Sequence, residues 1–169
     1  MILNNKIYNL VLSDCIRIIA ALVILYRLPI PLFVKIILIM ISDSVDCGIP
    51  RILFNHWIDC STDTYQRLDK ITDTICYTFL LFYILKNGDL STNYNYLLIV
   101  LYIYRLIGVF LFLIKNDRKD LFYFPNFFLE ISLGLMVINY FPTLKKYREV
   151  ILLLIAVYKI LAEYYLHYR

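Results

Sequence analysis

The stretch that decides the fold runs from Asp43 to Asp73 and reads DSVDCGIPRILFNHWIDCSTDTYQRLDKITD. It holds six of the chain's thirteen acidic residues: Asp43, Asp46, Asp59, Asp63, Asp69 and Asp73. Long apolar runs stand on either side of it. A carboxylate at the edge of hydrocarbon is costly unless something compensates it, so ionisable residues there point to function by default. Several carboxylates gathered at neighbouring helix ends are compensated most simply by a divalent cation, since hard cations favour oxygen ligands.

The rest of the composition fits that setting. Hydrophobic residues make up 62% of the chain and charged residues 18%, against about 25% charged in soluble domains. Mean hydropathy is +0.71. A spanning helix takes roughly 20 apolar residues, so 169 residues hold five or six spans and little else. The expected fold is all-α: a polytopic membrane helical bundle of about six transmembrane helices, forming one domain over residues 1–169.

The net charge of +4 is modest, and the basic residues sit mostly at the ends of the apolar runs, as interfacial anchors do. No basic patch interleaved with aromatics suggests nucleic acid as a partner. Cys15, Cys47, Cys60 and Cys76 form no Cys-x-x-Cys pair, so neither a zinc site nor a disulfide framework is expected. The N-terminus has no charged n-region followed by a small-residue cleavage site, so the first apolar run is expected to remain as a helix.

The spans are expected at about Tyr8–Leu25, Leu32–Val45, Tyr65–Leu85, Tyr94–Ile114, Phe122–Tyr140 and Glu149–Leu166. Arg27-Leu-Pro-Ile-Pro31 breaks the first helix from the second, and Lys86-Asn-Gly-Asp89 has turn chemistry. Asp14 and Arg17 lie one turn apart in the first span and can neutralise each other. Asp43 and Asp46 share a face at the end of the second span. Asp69 and Asp73 share a face at the start of the third. Residues 51–65 make a polar connector, in which His56 and Trp57 read as interfacial anchors. Lys159 and Glu163 are one turn apart and read as a pair.

Asp43-Ser-Val-Asp46, Arg51 five residues later, and Asp69-Lys-Ile-Thr-Asp73 together resemble the signature of the CDP-alcohol phosphotransferases. That signature is D-x-x-D-G-x-x-A-R followed by G-x-x-x-D-x-x-x-D, and the six-span layout extends the resemblance over most of the chain. The chain departs from it at Cys47 and Tyr65, which stand where the family has glycines, and at Pro50, which stands where it has alanine. Gly48 follows Cys47 at once. The spacer between the two aspartate pairs is also longer. Small residues let the backbone approach a nucleotide closely, so Tyr65 is the sharpest departure. Asp59 and Asp63 offer a second register, also at i and i+4. Asp69 and Asp73 are preferred because an apolar helix continues directly from them.

The resemblance implies transfer of a phosphatidyl group from CDP-diacylglycerol (or of a group from another CDP-alcohol) to a hydroxyl acceptor, with release of CMP, in phospholipid biosynthesis. It implies Mg²⁺ or Mn²⁺ held by Asp43, Asp46, Asp69 and Asp73, with Asp73 also as the base. It places Arg51 and Gly48 at the substrate phosphates and allows a homodimer. The physical demand is clear: a pyrophosphate repels nucleophiles until cations neutralise it, and a hydroxyl needs a base to take its proton. Arg105, in the middle of the fourth span, either binds the acceptor's phosphate or pairs with Glu130. Tyr65 is expected to point away from the cavity, because a phenol facing inwards fills the space a nucleotide needs.

Two further readings stay open. One is a catalytically silent relative that keeps the fold. The other is a small cation transporter, although the carboxylates gather at one face and do not line a path across the bilayer. Orientation follows from the basic residues, which favour the cytoplasm. Lys6, Arg17, Arg51, Arg67, Lys70, Lys115, Arg118, Lys119 and Arg169 fall on the side of the acidic cluster, against Arg27, Lys86, Lys145, Lys146 and Arg148 on the other. A multi-pass membrane protein with its active site facing the cytoplasm is expected, and only the Lys145–Arg148 run stands against that assignment.

Overall fold

The computed structural model describes residues 2–49, 60–117 and 119–168. Pro50, Arg51, His56, Trp57 and Asp59 lie outside the described residues, and so do the expectations attached to them. The described chain is all-α, with no strand.

Helix α1 (Ile2–Tyr26) stops where two prolines follow in close succession; Pro31 takes φ −55°, ψ 145° and caps α2 (Leu32–Ser44). A proline both lacks the N–H a helix needs and pushes the residue before it to extended geometry. A 3₁₀ turn over Asp46–Gly48 follows. Helix α3 (Asp63–Asn87) ends at Gly88, whose N–H reaches the Ile84 carbonyl at 2.7 Å. Helix α4 (Thr92–Lys115) ends at Asn116, which takes the left-handed conformation at φ 57°, a normal asparagine stop. The short α5 (Lys119–Tyr123), then α6 (Phe127–Tyr140), a 3₁₀ turn (Pro142–Tyr147) and α7 (Arg148–Tyr168) complete the chain.

Helix α6 is the centre of the bundle: it packs against α2, α4 and α7, while α1 lies along α3. Its Phe128, Leu129, Leu135 and Met136 meet Tyr77, Leu80 and Ile84 of α3 in one continuous core. The outer surface is apolar as well. On α4, Leu97, Val100, Ile103, Ile107, Phe110 and Ile114 form an exposed stripe at three- and four-residue spacing. A contiguous exposed patch of that kind marks contact with lipid or another apolar surface.

Among the described residues, three segments are long and apolar enough to cross a membrane: Ile7–Tyr26, Thr92–Lys115 and Asp120–Tyr140. They fit a membrane protein. Six crossings are not established, and the reason lies in the other helices. Helix α2 has 13 residues, which at 1.5 Å each makes about 20 Å, short of a hydrocarbon core of about 30 Å. Helix α3 is 25 residues long, but Asp63, Arg67, Asp69, Lys70 and Asp73 crowd its first half. Helix α7 carries Arg148, Glu149, Lys159 and Glu163.

Gly108 of α4 lets Phe124 approach the helix backbone closely. A Cβ there would sit 2.3 Å from Phe124 Cβ, an atom fixed to the backbone. Gly108→Ala is expected to destabilise the fold by about 1–3 kcal/mol, the range for overpacking. Gly134→Ala should cost less, because the atom it meets is the mobile end of Ile155. Chemical unfolding in detergent micelles checks both, and equal midpoints for the two variants would refute the distinction.

Candidate functional site

Tyr65, Asp69, Asp73 and Tyr77 recur every four residues on α3, so the helical repeat sets them on one face. Helix α1 presents Asp14 and Arg17 to that face, and the end of α2 with its 3₁₀ turn brings Asp43 and Asp46. All four aspartates proposed as metal ligands therefore converge, and a buried arginine sits among them. Arg17, with a side chain 4% exposed, donates through Nη1 to Asp69 Oδ1 at 3.0 Å and through Nη2 to Asp73 Oδ1 at 2.8 Å. Its guanidinium lies 3.6 Å from Asp43, 3.7 Å from Asp14 and 3.9 Å from Asp46. Lys70 Nζ bridges the other oxygens of Asp69 and Asp73 at 2.7 and 2.9 Å. Tyr77 donates its hydroxyl to Asp43 Oδ2 at 2.8 Å, and Tyr65 donates its hydroxyl to Asp46 Oδ2.

Five carboxylates (Asp14, Asp43, Asp46, Asp69, Asp73) thus face two cations (Arg17, Lys70), leaving three negative charges if all are ionised. Desolvation makes such an excess expensive. At Asp46, beyond the end of α2, burial pushes the carboxyl up to about 6, with neighbouring Asp69 acting in the same direction. Buried Asp14 Oδ2 and Arg17 Nε have no hydrogen-bond partner among the described residues.

The donor set suits a hard divalent cation. One oxygen from each of Asp43, Asp69 and Asp73 lies within 4.8 Å of the other two. Two oxygens bound to one octahedral Mg²⁺ at 2.0–2.1 Å stand about 2.9 Å apart when adjacent and about 4.2 Å apart only when opposite, so the three side chains have to draw together to share one ion. Asp46 is not in that group. The space beside the cluster is small: a cavity of about 10 Å³ between Arg17, Asp43, Asp73 and the apolar Ala21 and Ile39, room for about one water.

Several expectations are corrected here. Tyr65 does not point away from the site; it is buried against Asp46, because position 65 precedes Asp69 by one helical repeat. Arg17 is more than the partner of Asp14: its hydrogen bonds cross to α3, and Asp14 is a more distant neighbour. Arg105 does not pair with Glu130. It donates to the Phe124 carbonyl at 2.7 Å, while Glu130 binds Lys159 at 2.7 Å from α7. The Lys159–Glu163 pair is present at 3.1 Å. Asp63, of the second register, is exposed in the first turn of α3. Gly48 closes the 3₁₀ turn beside Asp46, and a Cβ there would meet no described atom within 4 Å. Finally, Cys47 and Cys60 are joined in a disulfide with their Cα atoms 6.1 Å apart. A search for closely spaced cysteines misses a pair that the fold brings together across 13 residues.

Lys70, Tyr77 and Arg17 are the site residues that sequence reasoning passed over. The four-residue repeat from Tyr65 to Tyr77 was the available signal for the tyrosines. Fold and site together define an all-helical membrane-type bundle with a buried, arginine-centred carboxylate cluster. No family model matches the chain, and neither a curated protein nor a solved structure does.

Proposed function

We propose that this chain is a membrane-embedded transferase that moves a phosphatidyl group from CDP-diacylglycerol, or a group from another CDP-alcohol, to a hydroxyl acceptor, using Mg²⁺ or Mn²⁺. The observation that carries the reading is the group formed by Asp43, Asp69 and Asp73, three carboxylates from two helices within 4.8 Å in a cluster with surplus negative charge. When bound, the cation neutralises the pyrophosphate and stabilises the departing CMP. Asp46 lies at the edge of the set. In this reading Arg51 and Gly48 serve the substrate phosphates, Arg105 serves the acceptor, and the site opens to the cytoplasm.

Asp73 is the residue assigned to take the hydroxyl proton. Its two oxygens are already engaged, one by Arg17 at 2.8 Å and the other by Lys70 at 2.9 Å, and the space beside them admits about one water. Catalysis therefore requires Arg17 to withdraw when substrate and cation enter. Lys70, on the same helix, can stay and hold the Asp69 and Asp73 side chains in register.

A second reading has specific support. Arg17 occupies the middle of the cluster, Tyr65 closes on Asp46, and the cavity admits about one water. These are the features of a catalytically silent relative in which arginine stands where the cation would. One experiment separates the two: purified protein, Mn²⁺ binding followed by electron paramagnetic resonance, and CMP release from labelled CDP-diacylglycerol with a panel of acceptors. CMP release that vanishes in excess EDTA is the expected result for the transferase. Absence of both Mn²⁺ binding and CMP release identifies the silent relative, and full release in EDTA removes the metal mechanism.

A further inference from the structure

The end of the bundle remote from the carboxylate cluster holds a second polar site. Helix α3 carries Asp69 and Asp73 in its first half and ends at Asn87. Just beyond it, a cavity of about 190 Å³ opens between the α3–α4 connection, the end of α6 and the start of α7. Lys145 and Arg148 line it, with Ser91 and Asn139 as polar walls, Leu135 and Ile138 as the apolar floor, and Asp89 as its one acid. No carboxylate lies within ion-pair distance of Lys145 or Arg148 among the described residues. Arg148 donates to the Tyr94 hydroxyl at 2.8 Å with its guanidinium 4.9 Å from the ring centre. That hydroxyl in turn donates to Glu149 Oε1 at 2.9 Å. Arg148 is thus held in place by an aromatic platform, with further donors to offer.

Three cations, Lys145, Lys146 and Arg148, precede or begin a helix of 21 residues. A helix N-terminus disfavours positive charge, so local structure does not explain them. Nor does an orientation with the acidic cluster in the cytoplasm. A second observation names the kind of ligand. A larger cavity, about 390 Å³, adjoins the first, sharing Asp89 and Asn139; Asn87 adds a polar wall, and its remaining side chains (Pro31, Leu32, Phe33, Met136 and Tyr140) are mostly apolar. A cationic chamber beside an apolar one suits an amphiphile with a negative head. Tyr140, Phe141 and Tyr147 are exposed around this end, where aromatic residues sit at the membrane–water interface.

We propose that this cavity binds the phosphate of an anionic phospholipid through Lys145 and Arg148, with the glyceryl and acyl portion lying along the adjoining apolar chamber. Basic pockets between helices bind anionic head groups elsewhere by the same means, and guanidinium–phosphate contacts are bidentate and strong. The proposal is independent of catalysis at the carboxylate cluster.

The test is thermal unfolding of the full chain in detergent, followed by circular dichroism. Phosphatidylglycerol, phosphatidylcholine or inorganic phosphate is titrated in turn. Phosphatidylglycerol is expected to raise the midpoint in a saturable way and phosphatidylcholine to leave it unchanged. Lys145→Gln, at an exposed position, and Arg148→Lys, which keeps the charge but loses the planar fork, should each weaken the apparent affinity at least about fivefold, the loss of one charge-assisted hydrogen bond. Lys86→Gln removes a basic residue from the same end outside the cavity and should change nothing. An equal loss in Lys86→Gln, or no loss in either cavity variant, overturns the site. An equal shift with inorganic phosphate, lost in the same variants, overturns the lipid assignment.

Discussion

Replacing Arg17 by Met is expected to destabilise the protein by about 3–5 kcal/mol, the range seen when one partner of a buried ion pair is removed. The arginine is 4% exposed and hydrogen-bonds both Asp69 and Asp73. Without it Lys70 is left to neutralise five carboxylates, and the space vacated is lined by their oxygens. A divalent cation then has a vacant, prepared position. Millimolar Mg²⁺ or Mn²⁺ should recover part of the loss in Arg17→Met, about 2.7 kcal/mol at a hundred times the dissociation constant. Denaturant unfolding with and without metal measures both quantities. A variant as stable as the parent would show that the cluster does not depend on Arg17; a variant that is destabilised and indifferent to metal would show that the carboxylates form an ion-pair network and no cation site.

The second large effect concerns chemistry. Asp73→Asn should lower CMP release at least about a hundredfold, the lower end for loss of a positioned base, while Asp63→Asn leaves it within about twofold, as expected of an exposed residue outside the cluster. The amide keeps the shape of the side chain and removes one of five negative charges around two cations, so folding should survive; a circular dichroism melt beside the assay confirms that. Retained turnover in Asp73→Asn would move the base elsewhere, and a loss in Asp63→Asn would reinstate the earlier register of the second aspartate pair. If the parent protein neither binds Mn²⁺ nor releases CMP, the silent reading stands.

The residues that sequence reasoning located are those whose placement follows from short-range periodicity. Asp43 with Asp46, and Asp69 with Asp73, each share a helical face because of spacing alone, and a polar connector between two helix ends is enough to return the chain to one side. The same periodicity, carried one repeat in each direction, places Tyr65 and Tyr77 on the acid face; the expectation that Tyr65 turns away set the needs of a nucleotide above the geometry of the helix. Arg17 was out of reach for a different reason. Its hydrogen-bond partners lie 52 and 56 residues along the chain, and no local rule relates α1 to α3, so the nearest acid, Asp14, looked like its natural partner. Arg105 and Glu130 show the same limit. Each was polar in an apolar run, and which of several such groups meet depends on the rotation of helices about their axes. The helix positions themselves were legible, from prolines, glycines and the apolar runs; how many of them cross a membrane was not, because α2 is short and α3 is charged where it enters the bundle.

The bond between Cys47 and Cys60 turns the orientation of the bundle into a question of redox compartment. Cys47 follows Asp46 directly, and Cys60 stands three residues before α3, so the link ties together the two chain ends that carry the acid pairs. Disulfides persist in oxidising surroundings and are rare in the cytosol, where thiols are kept reduced. An intact bond here and a cytoplasmic carboxylate cluster are therefore opposed: facing the cytosol, the two cysteines would rest as thiols. Facing outwards, the bond is permanent and the basic run with Lys145 and Arg148 becomes cytoplasmic, but the larger set of basic residues on the acidic side then faces outwards, against the usual cytoplasmic bias. Labelling intact cells with a membrane-impermeant thiol reagent, before and after an impermeant reductant, reads the answer from Cys47 and Cys60 themselves.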